Sequence, residues 1–125
     1  MGRERILIVE DDETLLDLFS EVLNTAGYEV ATQDSAFGAA ARVREFEPSA
    51  VLLDLALPFR PGTSLLTELK ADPRTAEVPV LIMSGLPEAL SDDRRALAAA
   101  VLAKPFQMDT LVDAVIFTCA RGREN

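Results

Sequence analysis

Two stretches decide the fold: Ile6-Leu7-Ile8-Val9-Glu10-Asp11 and Ala50-Val51-Leu52-Leu53-Asp54. Each is a short apolar run that ends in acidic residues. Nearly continuous runs of Val, Ile and Leu are typical of parallel strands that are buried on both faces. If both runs are such strands, their carboxyl ends meet at one edge of the sheet. We therefore expect the three carboxylates to lie close together there.

Three carboxylates at one point predict a bound cation. Like charges at short range repel each other, which raises their pKa values unless a positive charge neutralises them. Carboxylate and carbonyl oxygens are the ligands that Mg²⁺ prefers, and this ion usually keeps several of its waters. The sequence therefore predicts a Mg²⁺ site, which Mn²⁺ would also fit, formed by Glu10, Asp11 and Asp54.

The rest of the chain repeats the same alternation of short apolar runs and helical patterns. Strands are predicted at 5–9, 28–32, 50–53, 79–83 and 100–103. Helices are predicted at 13–26, 36–46, from after Gly62, near 88–97 and at 107–121. Five βα units joined by right-handed crossovers form a parallel sheet with helices on both faces.

The carboxyl edge of that sheet collects further polar residues. Ligands bind doubly wound sheets at this edge. The residues that end or follow a predicted strand there are Glu10, Asp11, Asp54, Ser84 and Lys104. This edge is therefore the predicted functional site.

Composition restricts the class of protein. The 125 residues carry a net charge of −9 and are 49% apolar, which predicts one acidic domain, 1–125, with 121–125 as a tail or truncated linker. Nucleic acid is not expected as a direct partner, because phosphate contacts need clustered Lys and Arg. Cys119 is the only cysteine and histidine is absent, which excludes an internal disulfide and histidine-based catalysis. With no apolar run near the ~18 residues of a membrane span and no signal peptide, we expect a cytoplasmic protein without membrane contact.

Four motifs in order resemble the receiver domain of two-component response regulators. They are Ile8-Val9-Glu10-Asp11-Asp12, Leu52-Leu53-Asp54-Leu55-Ala56-Leu57-Pro58, Met83-Ser84-Gly85 and Ala103-Lys104-Pro105-Phe106. The resemblance covers essentially the whole chain. It implies a flavodoxin-like α/β fold, (βα)5, with a five-stranded parallel sheet of order 2-1-3-4-5. It also implies a signalling domain that is not an enzyme and assists only its own phosphorylation and dephosphorylation.

The resemblance assigns roles around the metal. Asp54 would accept a phosphoryl group from a sensor histidine kinase or a histidine phosphotransfer protein. Mg²⁺ would bind Asp54, Asp11 and the backbone carbonyl of Ala56, while Glu10 would hold a metal-bound water. Asp12 is left as a flanking residue that caps the first helix.

The resemblance also assigns roles around the phosphoryl group. Lys104 would pair with Asp54 at rest and with a phosphoryl oxygen afterwards. Ser84 would donate its hydroxyl to another phosphoryl oxygen. The bond between Lys104 and Pro105 is expected to be cis, as in the family.

One departure from the family concerns signal output. Many receivers carry an aromatic residue three positions before the lysine, whereas this chain has Val101, so the familiar aromatic rotamer switch is not expected. On the helical wheel of 107–121, Phe117 lies opposite a core stripe that includes Ile116. We predict a partner face with Val101 and Phe117 that binds a downstream effector protein or domain, or a second copy in a phosphorylation-dependent homodimer.

Three alternatives remain open at this stage. The first is a phosphorylation-independent interaction module of the same fold, which the missing aromatic favours slightly. The second is a haloacid-dehalogenase-like phosphatase with an aspartate nucleophile after the first strand. Its Asp-x-Asp spacing is wrong here, because Glu13 stands where the second Asp belongs. The third, a flavodoxin-type FMN site, lacks a Ser/Thr/Gly-rich phosphate loop.

Overall fold

A single parallel sheet forms the centre of the molecule. A computed structural model of the chain describes residues 2–56 and 62–123. The strands are β1 (Arg5–Val9), β2 (Glu29–Gln33), β3 (Ala50–Asp54), β4 (Val80–Ser84) and β5 (Ala100–Ala103). They are arranged in the order β2-β1-β3-β4-β5, and every neighbouring pair is parallel. The predicted fold class and strand order are confirmed.

Five helices connect and flank these strands. They are α1 (Glu13–Thr25), α2 (Ala39–Phe46), α3 (Gly62–Ala71), α4 (Asp92–Arg95) and α5 (Met108–Arg123), with a 3₁₀ turn at Pro87–Ala89. Within residues 2–56 and 62–123, none of them is long and apolar enough to cross a membrane. The structure therefore has the expected alternation of strands and helices.

The fourth helix differs from the prediction. A helix was expected near 88–97, but the chain forms a 3₁₀ turn at Pro87–Ala89 and a single helical turn at Asp92–Arg95. The four residues of α4 are all charged and none is buried. A helix without an apolar face gains nothing from packing on the sheet, so tertiary contacts do not extend it.

The two faces of the sheet form two separate cores. Side chains alternate between faces along a strand, so Leu7 and Val9 pack on α2 and α3, whereas Ile6 and Ile8 pack on α1 and α5. All four are fully buried, and burial of each contributes about 1.5–3 kcal/mol. This packing confirms that helices cover both faces and holds the carboxyl ends of the strands in fixed positions.

The last helix corrects two expectations. It continues to Arg123, where the chain was expected to be a tail or linker, and Gly122 lies so close to Pro79 that a Cβ there would come within 2.9 Å of the proline ring. Glu124 and Asn125 lie outside the described residues. Ile116, expected in the core stripe, is 51% exposed, so that prediction is wrong.

The stripe of α5 is narrower than the helical wheel suggested. Its fully buried residues are Leu111, Val115, Thr118 and Cys119. Thr118 is accommodated because its hydroxyl donates to the carbonyl of Ala114 at 2.7 Å, which satisfies the buried polar group.

Candidate functional site

The register of the sheet brings the predicted site residues to one edge. Val9 pairs with Leu53, and Asp54 pairs with Met83, so β1 and β3 end at adjacent positions. Beyond β5, the backbone N–H of Lys104 donates to the Ser84 carbonyl at 2.8 Å, which aligns the ends of β4 and β5. The side chains that follow these strands therefore project from the same edge.

The three acids meet at this edge. Glu10, Asp11 and Asp54 each offer a carboxylate oxygen, and these oxygens all lie within 4.8 Å of one another. Glu10 and Asp54 are buried, at 1% and 4% exposure, whereas Asp11 is exposed. The structure thus has the acidic cluster that the sequence predicted, with one side open to solvent.

Lys104 is the cation of the cluster. Its Nζ lies 2.9 Å from Glu10 Oε1 and 3.4 Å from Asp54 Oδ2. The pairing with Asp54 that the resemblance implied is present, but the closer partner is Glu10. Burial lowers the pKa of Lys104, but the hydrogen bond to Glu10 and the charge of Asp54 outweigh it and raise that pKa above its ordinary value.

The cluster contains more negative charge than Lys104 compensates. Burial, reinforced by the contact with Asp54, raises the pKa of Glu10 to about 7, although Lys104 acts in the opposite direction. Burial disfavours the ionised form of a carboxyl, and a neighbouring carboxylate disfavours it further. Three carboxylate oxygens whose negative charge is not fully compensated fit a divalent cation such as Mg²⁺.

The neighbouring loops contact the side chains of Asp54 and Ser84. The backbone N–H of Ala56 donates to Asp54 Oδ1 at 3.1 Å, which fixes one carboxylate oxygen. Ser84 is buried at the end of β4, and its Oγ accepts from the N–H of Leu86 at 3.1 Å. Among the residues the structure describes, the Ser84 hydroxyl donates to none, which leaves its proton available to a ligand beside Asp54.

Gly62 is a site residue that the sequence did not reveal. In the sequence analysis it was only the residue before the third helix. A Cβ at position 62 would lie 2.5 Å from the backbone oxygen of Asp54 and 2.8 Å from Leu55 Cα. Only glycine therefore lets α3 begin directly against the end of β3. Residues 57–61, which include the end of the second motif, lie outside the described residues.

Two smaller predictions are confirmed. Asp12 caps α1, because its side chain accepts from the N–H of Leu15 at 3.2 Å. Its position outside the acidic cluster agrees with a capping role. The peptide bond between Lys104 and Pro105 is cis.

The two residues predicted for a partner face differ in exposure. Val101 is half-buried and packs against the core that includes Val80 and Ile82. Phe117 is 49% exposed, and the guanidinium of Arg121 lies 6.0 Å from its ring centroid. Of these two side chains, Phe117 is the more exposed.

Comparison with known proteins agrees with this geometry. The family model of the response regulator receiver domain matches residues 6–116, and the chain belongs to that family. It is therefore a receiver domain of the kind used by two-component systems, a signalling domain rather than a member of a classical enzyme family.

Relatives of different lengths share this domain. The chain is 30% identical over 115 residues to sporulation initiation phosphotransferase F of Bacillus subtilis, covering 92% of this chain and 93% of that protein. It is 32% identical over 111 residues to the DNA-binding dual master transcriptional regulator RpaA of Synechocystis, covering 86% of this chain. The match spans only 46% of RpaA, about half the length of that relative.

A solved structure with a bound metal has the same fold. The receiver domain of the sensor histidine kinase PA1611 from Pseudomonas aeruginosa has a magnesium ion coordinated in its active site cleft. It superposes with a TM-score of 0.82 and 27% identity, over 96% of this chain and 99% of that chain. The acidic cluster of the present chain is consistent with a site of that kind.

Proposed function

We propose that this receiver domain accepts a phosphoryl group on Asp54 in a Mg²⁺-dependent reaction. The donor is the phosphohistidine of a sensor histidine kinase or of a histidine phosphotransfer protein. The observation that carries the proposal is the convergence of Asp54 with Glu10, Asp11 and Lys104 at the carboxyl edge of the sheet. Acids and a lysine from three strand ends meet there, where this fold binds ligands.

The metal would be held by residues already in place. Asp11, Asp54 and the backbone carbonyl of Ala56 would bind it directly, and Glu10 would hold one of its waters. When bound, Mg²⁺ or Mn²⁺ supplies positive charge that neutralises phosphoryl oxygens. The three carboxylates gathered around Lys104 support this assignment, because their excess of negative charge favours a bound cation.

The chain itself provides the nucleophile and two stabilising groups. An oxygen of Asp54 bonds to phosphorus as the bond from phosphorus to the donor nitrogen breaks, and the electron pair leaves with the imidazole. Phosphoryl transfer depends mainly on positioning and charge neutralisation. Lys104, whose Nζ lies 3.4 Å from Asp54 Oδ2, contributes positive charge to one phosphoryl oxygen. The Ser84 hydroxyl donates a hydrogen bond to a second phosphoryl oxygen.

The output of the domain is binding of another protein. Phosphorylation favours one of two conformations of the loops around Ser84 and so changes affinity for a downstream effector protein or domain. Phe117 and Val101 are the proposed contacts, and a phosphorylation-dependent homodimer is an alternative use of the same face. We place this exchange in the cytoplasm, a reducing compartment that suits the free Cys119.

A second candidate function has one observation in its favour. A phosphorylation-independent interaction module would need no switch residue, and Val101 replaces the usual aromatic. The complete set of Glu10, Asp11, Asp54 and Lys104 favours the first proposal.

Intact-mass measurement separates the two candidates. The protein is incubated with acetyl phosphate, with and without Mg²⁺, and Asp54→Asn serves as the control. A single Mg²⁺-dependent, base-labile phosphoryl adduct that the variant lacks is the expected result. Absence of an adduct in a protein that demonstrably binds Mg²⁺ would contradict the first proposal and support the second.

A further inference from the structure

A cavity of about 340 Å³ lies beside the acceptor carboxylate. Its lining includes Asp54, Ser84, Leu90, Ser91 and Arg94. Lys104 lines a separate groove with Leu15 and Phe19. The two cations therefore line different spaces.

Arg94 is the cation of this cavity. Among residues 2–56 and 62–123, it is the one positively charged side chain that lines the space. Its guanidinium makes no ion pair within this described part of the chain. Arg95, by contrast, donates to the carbonyl of Pro87 at 2.7 Å. A solvated, unpaired guanidinium that lines the same cavity as Asp54 is available to an anionic ligand, in a protein whose net charge is −9.

The short fourth helix presents this arginine to the cavity. Ser91 begins the helix, because its side chain accepts from the N–H of Arg94 at 3.2 Å. Ser91 and Leu90 line the cavity together with Arg94. The short helix α4 and the residues just before it therefore form part of the cavity wall.

We infer that Arg94 determines specificity for acyl phosphates as small phosphoryl donors, by binding their carboxylate leaving group. This inference rests on the proposed phosphorylation of Asp54. Lys104 and Ser84 are placed for the phosphoryl oxygens. In phosphoryl transfer the attacking and leaving oxygens are roughly in line, so the leaving group points away from Asp54. A guanidinium binds a carboxylate through two parallel N–H donors.

The reaction balances without an additional reactant. An Asp54 carboxylate oxygen forms a bond to phosphorus, and the bond from phosphorus to the acyl oxygen breaks. The electron pair stays on that oxygen, and acetate leaves from acetyl phosphate as an anion that Arg94 stabilises. With phosphoramidate as donor, the leaving group is ammonia, which carries no negative charge for Arg94 to bind.

The test compares these two donors on Arg94→Ala, with Mg²⁺ present and phosphorylation followed by intact mass. The second-order rate constant for phosphorylation by acetyl phosphate should fall about tenfold, as for the loss of one hydrogen bond to the negative charge that develops on the leaving oxygen. The value for phosphoramidate should change by less than about twofold. Arg94→Lys keeps the charge without the planar pair of donors and should give an intermediate value for acetyl phosphate.

The control variant is Arg3→Ala. It changes the net charge by the same amount at an exposed residue before β1, at the opposite end of the sheet. It should behave like the wild type with both donors. Thermal unfolding of all variants checks that the loop around α4 remains folded.

Each outcome has a separate meaning. If the wild type reacts with both donors and Arg94→Ala uses acetyl phosphate equally well, the role of Arg94 is refuted while the proposed function stands. Equal losses with both donors would also refute it, because Arg94 would then act on the phosphoryl group or on the loop. No adduct in the wild type with either donor would refute both proposals.

Discussion

Replacement of Gly62 by alanine tests whether close contact between α3 and the end of β3 positions Asp54. The added Cβ would lie 2.5 Å from the backbone oxygen of Asp54, about 0.9 Å short of the 3.4 Å at which ordinary contact begins. The obstacle is backbone rather than a flexible side chain, so the helix start or the strand end must move by an amount of this order. Asp54 moves with that strand end.

Two energies oppose each other in this variant. Overpacking a tight site costs about 1–3 kcal/mol, whereas replacing glycine with alanine in a helix returns up to about 1 kcal/mol. The steric cost should win, and a net loss of about 1–2 kcal/mol corresponds to a fall in Tm of roughly 4–8 °C for a domain of this size. Misplacement of a reacting group by ~1 Å costs up to about 100-fold in rate.

The assay combines thermal unfolding with the rate of phosphorylation by acetyl phosphate in Mg²⁺. Gly2→Ala is the control, because it makes the same substitution at an exposed residue before β1, where a Cβ meets nothing within 4 Å. The control should keep the stability and rate of the wild type. If Gly62→Ala also kept both, close contact at position 62 would not be what positions Asp54.

Three further predictions follow from the same contacts. Lys104→Met removes the cation that lies 2.9 Å from Glu10, so the pKa of Glu10, measured by NMR titration, should rise above about 7; an unchanged value would show that Lys104 does not stabilise that carboxylate. Burial raises the pKa of the Cys119 thiol from 9.0 to about 12, so its contribution to stability is complete below pH 9 and is lost as the pH rises toward 12, by up to about 1.4 kcal/mol per pH unit. Chemical denaturation at several pH values should show this loss in the wild type and a smaller loss in Cys119→Ala, and equal slopes would contradict the assignment. Phe117→Ala should leave phosphorylation by acetyl phosphate unchanged and weaken binding of the phosphorylated domain to its effector, by calorimetry; equal affinity would remove Phe117 from the partner face.

Local sequence pattern was a reliable guide where a segment's own residues determine its environment. The runs at 6–9 and 50–53 are so uniformly apolar that only a sheet covered on both faces can bury them. Asp12 was identified as a helix cap because its carboxylate needs only the N–H of Leu15, three residues away. In both cases the signal that supports the prediction lies within a few consecutive residues.

Pattern failed where packing against other elements decides the outcome. A helix was predicted near 88–97, but Asp92–Arg95 has no apolar face to place on the sheet. Ile116 looked like a core residue by type, yet the stripe that contacts the sheet includes Thr118 instead. A hydroxyl that donates a hydrogen bond to a carbonyl of its own helix can be buried. An apolar residue one position away from the buried stripe is left exposed.

The sequence by itself determined the class of fold, the edge of the sheet that carries the site, and the acids that meet there. These features follow from the alternation of apolar runs with helical patterns, from the apolar composition of the strands, and from the residue that ends each strand. Only the tertiary structure showed that Lys104 lies closer to Glu10 than to Asp54, that position 62 has no room for a side chain, and that Arg94 shares a cavity with the acceptor. The physical reason is that such distances join residues far apart in the chain, so they depend on how whole elements pack rather than on any local pattern.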